Sequence, residues 1–134
     1  MNDSMKVVSA VAYSAEEDLF LLMKRAEEKE SFPGRWEFPA GKMERKEVRE
    51  EALRELKEET GFVGEVVKVG ESFTIQTEKG EVKVHPVLVL VDHEEPELSR
   101  EHTDYRWLEL EEIQELETVK GLQTDLENVG AKNE

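Results

Sequence analysis

Four glutamates, Glu51, Glu55, Glu58 and Glu59, recur within nine residues of a stretch with helical spacing. Successive residues of a helix are turned by about 100°, so these side chains fall on adjoining parts of one face. Ala52, Leu53, Leu56 and Thr60 take the neighbouring face. The first set is a carboxylate cluster, and the second is a stripe that can pack on a core. Like charges three or four residues apart destabilise a helix by about 0.2–0.5 kcal/mol per pair, so the cluster asks for an offset. A divalent cation is one candidate, because hard ions such as Mg2+ prefer oxygen ligands and are held by a few carboxylates plus substrate phosphates. Such an ion would also keep the carboxylates charged. The i,i+4 pairs Glu50 with Arg54 and Arg54 with Glu58 offer another offset, and a solvated acidic face needs no metal. Spacing alone leaves these readings open.

The surroundings narrow them. Gly41, five residues, Glu47, six residues and then Arg54-Glu55-Leu56-Lys57-Glu58-Glu59-Thr60-Gly61-Phe62 resembles the Nudix box. The usual pattern is Gly-x5-Glu-x7-Arg-Glu-U-x-Glu-Glu-x-Gly-U, with U aliphatic or bulky apolar. Every fixed position is present. The departures are the loss of one residue between Glu47 and Arg54, and Lys46 where a glycine often precedes the glutamate. Upstream, Trp36-Glu37-Phe38-Pro39-Ala40-Gly41-Lys42 is similar to the lead-in of the MutT-like branch.

The resemblance implies an α/β fold, an α/β/α sandwich around a mixed sheet with the box as loop-helix-loop. It implies metal ligation by Glu58 and Glu59 with the Ala40 backbone carbonyl, and Glu55 as general base or additional ligand. Arg54 would orient a glutamate. Gly41 and Lys42 would face the substrate, with Lys42 able to neutralise a phosphate unless it is an ordinary surface lysine. A further acid, ligand or base, is expected six residues before a tryptophan, where Glu101 precedes Trp107; His102, Asp104 and Glu97 crowd the same stretch.

The implied reaction is Mg2+-dependent hydrolysis, with Mn2+ as a substitute, of a nucleoside triphosphate, oxidised purine dNTPs included, to the monophosphate and pyrophosphate. An ADP-ribose or nucleotide-sugar pyrophosphatase is the alternative, against which Gln76-Thr77-Glu78-Lys79 stands where those proteins carry a proline. The absence of a tyrosine there disfavours dinucleoside polyphosphates, and the absence of any cysteine disfavours the isopentenyl diphosphate isomerase branch. A non-catalytic binding module of the same fold is a third reading, prompted by the shortened box. The purine-binding asparagine of some relatives has no clear counterpart near Lys120.

These residues need a frame of strands and turns. Val7–Tyr13 and Leu19–Met23 read as a strand pair around Ser14–Asp18, followed by a charged loop over 26–33. The acidic helix should begin near Val48 or Arg49 and stop at Gly61. Two more strands are expected over Glu65–Gln76 and Val82–Val91, the latter with an edge or bulge at Pro86. Tyr105–Leu108 reads as a short final strand, and Glu111–Glu115 and Leu122–Val129 read as helical. His85 and His93 receive no role.

The 134 residues suit one domain, 1–134, with residues 130–134 expected to fray. No apolar run is long enough to span a bilayer and residues 1–6 lack a signal-peptide pattern, so a cytoplasmic protein, monomer or homodimer, is expected. A net charge of -15 argues against nucleic-acid binding while leaving a small anionic substrate compatible with a local cation.

Overall fold

The computed structural model describes residues 5–29, 31–44 and 47–131. Lys46 and the expectations for residues 1–4 and 132–134 lie outside them. The strands are β1 (Met5–Ser14), β2 (Leu19–Arg25), β3 (Trp36–Glu37), β4 (Ala40–Lys42), β5 (Glu65–Val69), β6 (Phe73–Thr77), β7 (Gly80–Leu90) and β8 (His102–Leu108). The helices are α1 (Val48–Thr60), α2 (Leu110–Ile113) and α3 (Leu122–Asn128).

All eight strands join one mixed sheet in which β1 runs parallel to β7 and every other pairing is antiparallel. Alternation along the strands sorts apolar side chains to two faces. Val8, Ala10 and Ala12 of β1 with Leu21 and Met23 of β2 meet Ala52 and Leu56 of α1. Val11, Phe20 and Leu22 point the other way, to Ile113 of α2 and Leu122 and Leu126 of α3. The result is the expected α/β/α sandwich with two cores.

Three local readings change. The segment Glu65–Gln76 is two strands, parted at Gly70, where a Cβ would meet the Asn128 carbonyl oxygen at 2.6 Å. Pro86 is not at an edge, and the irregularity expected beside it falls on the partner side, where residues 70–72 face residues 85–86. It sits inside β7, opposite the gap between β5, which pairs with Val87–Leu90, and β6, which pairs with Gly80–Val84. Its carbonyl accepts from Gly70 N–H at 2.8 Å, and a strand residue's N and C=O share one side, so the missing donor faces that gap. Finally, Gly130 (φ +84°) and Ala131 are held rather than frayed: their N–H groups donate to Glu127 O at 3.0 Å and Leu126 O at 2.8 Å. These bonds close the α3 C-terminus.

The lead-in to the box supplies two short strands that its loop-like sequence hid. β4 pairs with the first half of β1 and β2 with its end, so β1 shares one edge between two partners.

Candidate active site

α1 starts directly after Glu47, which serves as N-cap with its backbone alone, and ends at Gly61, whose φ of +82° is the left-handed stop expected of it. Ala52, Leu56 and Thr60 are buried as the apolar stripe, while Leu53 is only partly so. The acidic residues behave unequally. Glu55 and Glu59 are buried, and Glu58 is largely exposed. Glu51, read as part of the open carboxylate face, is fully buried instead. Its carboxylate lies against Arg54 Nη2 at 2.5 Å.

Arg54 gathers the box. Its Nη2 lies 3.2 Å from Glu55 and donates to the Lys42 carbonyl at 3.3 Å, while Nη1 donates to Glu58 at 3.1 Å. The hydrogen bond to Glu51 above all raises the Arg54 pKa.

β4 faces α1 through its backbone. Ala40 N–H donates to Glu59 Oε1 at 3.3 Å, and the Ala40 carbonyl shares that side of the strand. Gly41 is where the two elements touch most closely, since a Cβ there would collide with the Glu55 carboxyl group. Lys42 is exposed and lines the same cavity. Glu101 reaches the cavity rim, half-exposed, with its carboxylate 3.3 Å from Lys29 Nζ. The structure thus brings Ala40, Gly41, Lys42, Arg54, Glu55, Glu58, Glu59 and Glu101 to one cavity of about 640 Å³.

Behind this group lies a set that sequence reasoning left without a role. Glu37 bonds Arg25 Nη1 at 3.0 Å through Oε1 and lies 2.8 Å from His102 Nε2 through Oε2. Glu59 Oε1 is 3.9 Å from the same nitrogen. The ligand atoms of Glu37, Glu59 and His102 fall within 4.8 Å of one another, close enough to share a cation. The advance signals for Glu37 were its place in the lead-in motif and its being an acid inside an otherwise apolar Trp36-Glu37-Phe38 run.

Electrostatics favour a cation here. Burial first, then the neighbouring charges of Glu37 and Glu55, push the Glu59 carboxyl up to about 10. Burial likewise raises Glu55. Buried carboxyls crowded by other acidic groups that push their pKa values further up fit a hard divalent ion.

The same cavity is also lined by Phe38, Ile75, Val84 and Val119, and by Asp125 of α3. Asp125 Oδ2 accepts from the Ser9 hydroxyl at 3.0 Å, while Oδ1 has no hydrogen-bond partner among the described residues. In sequence it occupies the i+3 place of the stripe Leu122, Leu126, Val129, and that acid on an apolar face was the overlooked signal. Burial raises its pKa to about 7. Folding therefore favours the protonated carboxyl, and the benefit is lost as pH rises from the unfolded value of about 4 through 7. Asp125→Asn is expected to match the parent in stability near pH 4 and to exceed it by roughly 3–4 kcal/mol at pH 8. Urea unfolding of both proteins at the two pH values measures this, and a pH-independent difference would refute it.

Comparison with known proteins accords with this geometry. The family model for the NUDIX domain matches residues 3–126. The MutT protein of Methanosarcina mazei Go1 is similar at 26% identity and a TM-score of 0.73, over 92% of this chain and 90% of that one. The NUDIX domain of Shewanella oneidensis NrtR, solved with ADP ribose, superposes with a TM-score of 0.82 at 17% identity, covering 96% and 87% of the two chains. A C. elegans Ap4A hydrolase gives 0.77 at 21%, covering 95% and 96%. A search of curated proteins found no match. Among the described residues no helix is long and apolar enough to cross a membrane. With the family matched along nearly the whole chain, and its box folded as a strand, a loop and a glutamate-bearing helix around one cavity, this protein belongs to the Nudix family of hydrolases.

Proposed function

We propose that the chain is a Mg2+-dependent pyrophosphohydrolase that converts a nucleoside triphosphate to the monophosphate and pyrophosphate. The observation that carries this reading is the cavity itself. Its lining joins Glu55, Glu58 and Glu59, set beside the backbone of β4, to the apolar side chains of Phe38, Ile75 and Val84, and its volume of about 640 Å³ has room for a nucleotide. Glu58, Glu59 and the Ala40 carbonyl would hold the ion, which when bound polarises phosphoryl oxygens and favours water attack at phosphorus. Glu55 accepts the proton of the attacking water, held in place by Arg54. Glu101 stands at the rim as a further ligand or base, and Lys42 meets a phosphate.

A panel of NTPs, oxidised dNTPs, ADP-ribose and dinucleoside polyphosphates, assayed with Mg2+ in 18O-water, tests the reading. The largest kcat/KM should fall on a triphosphate, with pyrophosphate released. Preference for ADP-ribose would move the substrate to the alternative branch, and no metal-dependent hydrolysis of any member would leave a binding module. In parallel, Mg2+ should raise the Tm of the parent and leave that of a Glu58→Gln, Glu59→Gln double variant unmoved. Equal shifts in the two proteins would remove these residues from metal binding.

A further inference from the structure

The box pattern fixes a glutamate at 47 and leaves position 51 free, yet the structure uses them the other way round. Glu47 is exposed, makes no side-chain cap, and contributes only its carbonyl, which accepts Glu51 N–H at 3.0 Å. Glu51 is wholly withdrawn from solvent on a helix face where Ala52 and Leu56 enter the core. A carboxylate there is costly unless its lone pairs are engaged. They are. Oε1 meets Arg54 Nη2 at 2.5 Å, and Oε2 accepts the Glu44 backbone N–H at 3.1 Å.

Those two partners are the parts of the site that have to be kept in register. Glu44 belongs to the segment leaving β4, two residues past Lys42, whose carbonyl also binds Arg54. Arg54 in turn holds Glu55 and Glu58. One buried carboxylate thus ties the strand backbone at Ala40–Lys42 to the guanidinium that aligns the helix glutamates. With one residue fewer between Glu47 and Arg54, α1 begins immediately after Glu47, which is left at the helix mouth facing solvent.

We propose that Glu51, and not Glu47, is the positioning residue of this shortened box, setting Arg54 and through it the metal-facing geometry of Glu55, Glu58 and the β4 carbonyl. The inference rests on the pyrophosphohydrolase reading only for its kinetic half, since Mg2+ binding reports on it directly.

The experiment compares Glu51→Gln, Glu51→Ala and Glu47→Gln with the parent by calorimetric titration of Mg2+ alone and by kcat and KM, with thermal melting to confirm folding. Loss of a residue that orients ligands costs on the order of 10-fold in metal affinity or activity. Glu51→Gln should therefore weaken Mg2+ about 10-fold and lower kcat comparably while KM for the nucleotide stays within about two-fold, and Glu47→Gln should leave all three at parental values. Should the glutamine variant not fold, Glu51→Ala, which puts a strong helix former in the stripe and adds no buried polar group of its own, carries the same comparison. Adding Arg54→Ala supplies the mechanism: if Glu51 acts through Arg54, the double variant loses little beyond the worse single one. Parental Mg2+ affinity in a folded Glu51 variant, equal losses from Glu47→Gln, or additive losses in the cycle would each overturn the proposal. A parent that binds Mg2+ but hydrolyses nothing on the panel would defeat the proposed activity alone, leaving the titrations to decide on Glu51.

Discussion

Glu55→Gln is expected to fold as the parent does and to turn substrate over roughly 10²- to 10⁴-fold more slowly, the range for loss of a positioned base. Glutamine has nearly the same volume, so the close fit of this side chain under Gly41 survives the change. What disappears is the capacity to accept a proton. Burial holds the Glu55 carboxyl above the usual carboxylate range, which brings it nearer the pH at which a base works well, while Arg54 at 3.2 Å keeps its charged form available. The loss should therefore fall on kcat at saturating Mg2+ and nucleotide, with little change in KM. A variant that keeps near-parental kcat would transfer the base to Glu101, whose carboxylate reaches the same cavity from the rim.

Gly41→Ala is expected to cost on the order of 10²-fold in turnover although it adds one methyl group outside the two cores. The φ of Gly41 is not positive, so backbone strain plays no part. The methyl would occupy the space of the Glu55 carboxyl group, with β4 held on one side by β1 through the pairs Val7 with Lys42, Val8 with Gly41 and Ser9 with Ala40. Either Glu55 leaves its place or β4 lifts away from α1, and both separate the Ala40 backbone from Glu59. Mg2+ affinity should fall with kcat. Shortening the colliding side chain, as in Gly41→Ala with Glu55→Asp, should restore part of the Mg2+ affinity but not the turnover. A Gly41→Ala enzyme within two-fold of the parent would show that the contact is unimportant.

The sequence announced the parts of this site that lie close together along the chain. α1, its stop at Gly61 and the roles proposed for Glu55, Glu58 and Glu59 follow from helical spacing and one contiguous motif. The two cores follow from strand alternation in β1 and β2. What escaped was set by distant partners. Two-residue β3 exists because Met23 and Lys24 pair with it, and Glu37 acquires its place only when Arg25 and His102 arrive from other strands. Glu51 and Asp125 were misread or passed over for one shared reason. Each is an acid on a buried helix face, tolerable only because a partner, Arg54 or Ser9, waits there. Composition and spacing name the acid but not whether it is met.

The cavity has a second lesson in the way its walls are divided. Its acidic residues Glu55, Glu58 and Glu59 hang on α1 beside β4, whereas Ile75, Val84 and Asp125 come from β6, β7 and α3. These are separate stretches of chain, and the second set touches none of the hydrogen bonds that organise Arg54 and the glutamates. Such a division makes the enzyme modular in an evolutionary sense. On the proposed reading, substitutions at Ile75 or Val84 would retune which molecule is accepted while leaving the hydrogen bonds around Arg54 in place, so new substrate ranges would lie few mutations away.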